Sequence, residues 1–458
     1  MPDPSTERDT GATPDAPEAE RSLPRWSGRA VLAASFVVRA VYGLAFHPPL
    51  ESLRSDMLAY ATRAERLQSE PWKPVASAVF YPWGTHYLVA LARVLSFGHP
   101  GPGVALLYAL EGTIGATYYF LAARELLPGR PKTLLALGAF FALYPTWIAL
   151  GGFVLSEPPF TACVAATTYY ALRVFRPEAT PRRAGSAVGL GVALALGVAI
   201  RPQMLLTIPI FALLALWGPR PVAPRGRTWA ALGAPLALVL AISAARMKLH
   251  TGHYGLVSKN GALNFAFGRC HAAQITALKP REAYTPPSFR GLASYEKRHG
   301  MKPFPELDPA LGEEITVPGP IWDEAAFVEL SKKCVRATGP LRQVGYALTH
   351  VVLLFAYSVS FPLNGTFLIV TSIVATLVLL PGYLAALVRV VKKRDVGERV
   401  LLAHVLTLTL TAMLFFGEIR LRVPYDGVLA ILTALYATRL AAWWRGRRRE
   451  SGDGRAGT

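Results

Sequence analysis

The chain has 458 residues, of which 52% are hydrophobic and only 17% charged, with a formal net charge of +19. A soluble domain carries about 25% charged residues, so this balance excludes an ordinary water-soluble globule. No nucleic-acid motif accompanies the positive charge, so basic loops beside a bilayer explain it better than a nucleic-acid partner does.

Residues 1–29 are rich in Pro, charge and small polar residues and read as a disordered cytoplasmic tail. Apolar runs follow at 30–46, 103–127, 133–150, 158–175, 185–200, 202–217, 228–245, 366–390, 398–416 and 424–444. About 20 helical residues cross a bilayer, so the predicted fold is an all-α polytopic membrane protein with about ten spans. Segments 76–97 and 341–361 are ambiguous. With both laid in the interface, the short basic loops all fall on one side, as the positive-inside rule requires. Those loops hold Arg124, Arg130 and Lys132; Arg173, Arg176, Arg182 and Arg183; Arg220, Arg225 and Arg227; and Lys392, Lys393 and Arg394. The basic tail 445–458 joins them.

The opposite, extracytoplasmic side then receives the first outer loop 47–102, the segment 151–157, the long segment 246–365 and the segment 417–423. The unusual polar residues gather there. Asp56 opens a helical pattern that includes Tyr60; it is either a helix cap or a general base for a hydroxyl. Glu157, in LSEPPF, stands at the mouth of a span, where a carboxylate is costly and usually functional; Ser156 beside it reads as a cap. Arg201 interrupts an apolar stretch just before Pro202, suiting either paired hydrogen bonds to phosphate or a reach to headgroups. Glu418, Arg420 and Arg422 alternate, which on an extended backbone puts all three on one face, just before Pro424 and Tyr425. Arg39 and Glu111 lie deeper and need internal partners or a polar cavity; Arg39 either helps hold a phosphate or pairs within the bundle.

In this order, these residues resemble the GT-C glycosyltransferase superfamily, most of all the dolichyl-phosphate-mannose protein mannosyltransferase and lipid A aminoarabinose transferase branch. The likeness rests on Asp56 and Tyr60 in the first outer loop, LSEPPF at 155–160, the Arg201-Pro202 pair, GHYGLVSKNGALNFAFG at 252–268 and EIRLRVPYDG at 418–427, and it covers most of 30–444. It implies a catalytic module at 30–245, the outer segment 246–365 and C-terminal spans at 366–444. It also implies a polyprenyl-phosphate sugar donor, a lipid, glycan or protein acceptor, and inverting transfer at the outer face of a bacterial inner membrane.

Asp56 would then be the base, with Glu157 orienting the acceptor or an arginine. Arg201, Arg420, Arg422 and Arg39 would serve the donor phosphate. Tyr60, Glu418, Asn260, Asn264 and Tyr425 would meet acceptor or sugar. Some members carry two adjacent acids in the first loop; here Ser55 precedes Asp56, so the expectation is a reaction without metal or other cofactor. Cys270 and Cys334 share the exterior segment, where a disulfide is possible and two free thiols are the alternative; Cys163 belongs to a span. A transporter or flippase of polyprenyl-linked lipids is the competing reading, and it predicts internal repeats and polar groups near the bilayer midplane.

Overall fold

The computed structural model describes residues 26–175, 183–216, 226–271, 273–278, 281–284, 308–312, 314–356, 366–389 and 396–453. The tail 1–25 and the basic positions Arg176, Arg182, Arg220, Arg225, Lys392, Lys393 and Arg394 lie outside these.

The described chain is a helical membrane protein. Seven helices are long and apolar enough to cross a bilayer: Ser27–Phe46, Pro100–Leu126, Pro131–Leu150, Gly226–Thr251, Thr366–Val388, Val396–Leu414 and Ile419–Arg445. The other three predicted runs form Glu157–Phe175, Arg183–Ile200 and Met204–Leu216, helices that do not meet that length and hydropathy among the described residues. The first of these three is buried at nearly every position. Its polar content is tolerated because it faces protein rather than lipid. The other two are cut short at the Arg201-Pro202 break.

Close approach sets the central packing. Pro100–Leu126 starts with proline in its first turn, where the missing N–H costs nothing, and it packs along Glu157–Phe175. A Cβ on Gly115 would already stand 3.3 Å from Thr161. Pro145 divides the 131–150 run into Pro131–Leu143 and Pro145–Leu150. The break leaves the Phe141 carbonyl without its usual donor four residues on. Arg39 supplies that donor at 3.1 Å and also donates to the Ala142 carbonyl at 2.8 Å. Buried Arg39 thus mends a helix break and is removed from the set of phosphate ligands.

Segment 76–97 does not span. It is a short 3-10 turn, Ala76–Val79, followed by the 13-residue helix Trp83–Leu95, about 20 Å long against a hydrocarbon layer of about 30 Å. Segment 341–353 continues the helix Glu324–Leu353, whose backbone bends at Gly339 (φ +76) and Pro340. The long outer segment also carries structure that periodicity did not announce. Strands β1 (Gln274–Leu278), β2 (Arg281–Tyr284) and β3 (Glu314–Val317) form a sheet ordered β2-β1-β3, antiparallel then parallel. Cys270 and Cys334 form a disulfide that ties the helix Gly261–Arg269 to Glu324–Leu353.

Candidate active site

Four connections place the site. The helix Ser55–Ser69 begins immediately before Asp56, with Ser55 in the left-handed region at φ +45. The helix Glu157–Phe175 begins at its acid. Arg201 occupies the gap between Arg183–Ile200 and Met204–Leu216, its N–H bonded to the Gly197 carbonyl at 2.7 Å. Arg420 lies on the single turn Ile419–Arg422. That turn is anchored from the next one: Tyr119 donates to the Pro424 carbonyl at 2.6 Å and Trp147 to that of Val423 at 3.0 Å.

These far-separated residues meet. One oxygen of Glu157, whose side chain is 1% exposed, accepts from Arg201 at 2.7 Å and from both Nε and Nη2 of Arg420 at 2.7 Å. The same Arg420 Nη2 also lies 3.7 Å from Asp56 Oδ2. The Asp56 side chain is 36% exposed, and Tyr81 donates to its Oδ1 at 2.8 Å. Burial, and then the Asp56 charge, hold the Tyr81 hydroxyl well above its ordinary value, so it remains a donor. Arg201 also donates through Nε to Ser156 Oγ at 2.9 Å and lies over the Phe160 ring at 5.7 Å. The Ser156 hydroxyl therefore serves Arg201, a role the sequence reading had given to helix capping.

The remaining predicted residues divide. Tyr60 is buried beside Tyr81, ring centroids 5.2 Å apart, and feels the charges of Asp56, Arg201 and Glu157. Tyr425 accepts from Gln203 at 3.3 Å, close to Arg201. Glu418 is buried in the connection before Ile419 with Oε2 unpartnered. Burial pushes its carboxyl up to about 7, against the pull of Arg420.

Arg422 goes elsewhere. Residues 419–422 are helical rather than extended, so successive side chains turn by about 100° and positions 420 and 422 diverge. Arg422, 0% exposed, donates from Nε to Asp426 at 2.9 Å and from Nη1 to Thr376 at 2.9 Å. Tyr144 completes that pair through the second Asp426 oxygen at 2.9 Å. Asn260 accepts from Ser258 at 2.8 Å, and Asn264 sits inside the helix Gly261–Arg269; no described contact joins either to the acid–arginine group. Glu111 is buried with neither oxygen partnered among the described residues.

Three partners escaped the sequence reading as site members: Tyr81, Ser156 and Gln203. Ser156 and Gln203 stand within two residues of Glu157 and Arg201, and that proximity was the available signal. Tyr81 had none beyond its aromatic neighbours.

Chemically, two guanidiniums share one buried carboxylate, and a second carboxylate at the open edge balances their charge. Such a group can bind an anion and accept a proton within a few ångströms. Among the described residues no group of three or more His, Cys, Asp or Glu side chains is arranged to hold a metal ion.

No protein-family model matches the sequence, and no curated protein matches it either. Among solved structures, the chain is similar in course to the oligosaccharyltransferase AglB from Archaeoglobus fulgidus, in complex with an inhibitory peptide and a dolichol-phosphate. That match has 15% identity and a TM-score of 0.49, covering 93% of this chain and 52% of the other, so the chain spans about half that enzyme's length. It is similar also to ArnT from Cupriavidus metallidurans bound to undecaprenyl phosphate, at 15% identity and a TM-score of 0.37, covering 91% of this chain and 79% of that one.

Proposed function

We propose that the chain is a membrane glycosyltransferase that moves a sugar from a polyprenyl-phosphate carrier to an acceptor hydroxyl on the extracytoplasmic face. The observation that carries this reading is the meeting of Asp56, Glu157, Arg201 and Arg420 in one place. Its components are those that displacement at an anomeric carbon needs.

The acceptor oxygen attacks the anomeric carbon from the side opposite the phosphate, so the anomeric centre inverts. The bond from that carbon to the phosphate oxygen breaks, and its electron pair leaves with the polyprenyl phosphate. The hydroxyl proton passes to Asp56, the accessible carboxylate of the group. Arg420 and Arg201 stabilise the charge that develops on the leaving phosphate. Glu157 holds both guanidiniums in place, which makes it a positioning residue rather than a base. Guanidinium charge takes the place of a metal in this scheme, so transfer should persist in the presence of a chelator.

The test is transfer of radiolabelled sugar from a polyprenyl-phosphate donor in proteoliposomes. A new glycosidic bond formed by the native protein and lost in Asp56→Asn supports the reading. Movement of the carrier lipid across the bilayer with no new bond would make the protein a lipid transporter instead.

A further inference from the structure

A second group of basic side chains, separate from the acids and arginines above, surrounds the Ala76–Val79 turn. We infer that Arg63, His86, Arg246 and His250 form an anion site for a phosphate group, carried by a lipid headgroup or free in solution.

Three elements converge there. Arg63, on the helix Ser55–Ser69, donates to the Ala59 carbonyl at 3.0 Å and the Ser77 carbonyl at 2.8 Å and lies over the Tyr81 ring at 4.9 Å. Arg246, on the helix Gly226–Thr251, donates through Nη2 to the next carbonyl, that of Ala78. His250, one turn further along the same helix, accepts from the Val75 N–H at 3.1 Å through Nδ1. Its proton therefore sits on Nε2, which remains to donate elsewhere. His86 comes from the helix Trp83–Leu95, which Trp83 pins to the same partner by donating to Ser243 Oγ at 2.7 Å.

Arg246 is 6% exposed and His86 2%. The Tyr87 hydroxyl and the Pro82 carbonyl lie beside Arg246 and His86 respectively, and no carboxylate pairs with Arg246 among the described residues. A buried guanidinium met only by neutral groups, here the Ala78 carbonyl and the Tyr87 hydroxyl, is expensive unless an anion completes it. Burial first, then its basic neighbours Arg246, Arg63 and His250, hold the His86 imidazole well below the usual range.

Several fixed donors around one turn, with no carboxylate among their partners, suit a group with several acceptor oxygens. The position at the end of an apolar helix, beside exposed Leu249, Tyr254 and Leu256, opens the site to lipid headgroups as well as to water.

The experiment uses the full chain in phosphatidylcholine nanodiscs. Thermal unfolding is followed as phosphatidic acid replaces part of the lipid and, separately, as inorganic phosphate is added against chloride of equal ionic strength. The native protein should show a saturable rise in midpoint in at least one arm. A rise with phosphatidic acid alone assigns the site to a lipid headgroup, and a rise with inorganic phosphate alone to a free anion. Arg246→Gln should weaken the apparent affinity by about tenfold or more; Arg246→Lys, which keeps the charge, should lose less. If Arg246→Gln does not fold, His250→Gln, which removes a less buried donor, should still weaken the response measurably. No saturable rise in either arm, or equal rises in native protein and the folded variants, overturns the assignment.

Discussion

Arg420 and Arg422 stand two residues apart on the same short turn and are both buried, yet their surroundings differ in kind. Arg422 meets one carboxylate, Asp426, in a sealed pair joined by Thr376 and Tyr144, with only its Nη2 left without a hydrogen-bond partner among the described residues. Arg420 shares its buried carboxylate with Arg201 and brings the same Nη2 near Asp56, the most exposed acid of the group. A balanced, closed ion pair fixes structure. A balanced group with an open edge, where the half-exposed Asp56 stands, is accessible to a further charged group. Burial of an arginine is therefore no guide to its role; the accounting of partners is.

That contrast can be broken in several places. The largest expected effect is at the open edge: Asp56→Asn should lower sugar transfer by about 10²–10⁴-fold if its carboxylate takes the proton, with the melting midpoint little changed. Normal turnover in that variant would leave the site without its base. On the sealed side, Arg422→Met strands Asp426 and should cost about 3–5 kcal/mol of stability, read as a fall in the midpoint. Adding Asp426→Leu should recover much of that loss, since an apolar replacement of a whole buried pair is often neutral. If the double variant is as unstable as the single one, the pair is not the closed unit described.

Arg420→Gln should reduce turnover by about 10²–10³-fold, the scale seen when one charge-stabilising donor is removed. Its effect on transfer should far exceed that of the Arg422/Asp426 double variant; similar losses in both would erase the distinction. The smallest effect concerns Glu418, whose carboxyl is raised to about 7 by burial. A carboxyl raised on folding favours the folded state in its protonated form. That contribution is complete below the ordinary Glu range and declines as pH rises through about 7. Glu418→Gln should flatten this part of the stability profile, and an unchanged slope would mean that the group does not titrate there.

The helices were legible because apolar length is itself the signal, and so were Asp56, Glu157, Arg201 and Arg420, as charges at the edges of such runs. What a charge pairs with was not. Arg39 looked the same as a ligand and as a substitute for the donor missing at Pro145, because the sequence does not say which carbonyl lies across the bundle. Arg422 was misplaced by treating a one-turn helix as extended, a difference of about 80° per residue that four residues are too few to reveal. The strand at 314–317 was hidden because its partner in β1 lies 40 residues away in register, beyond the reach of any local pattern.

Ser55 carries one more consequence. Its backbone lies at φ +45, a conformation that side-chain-bearing residues occupy at a cost. Replacement by glycine should relieve that cost and raise the melting midpoint. The relief would also remove the constraint on the residue that follows it. The local tension and the aim of the carboxylate are thus one property, so a tougher protein here should be a slower one.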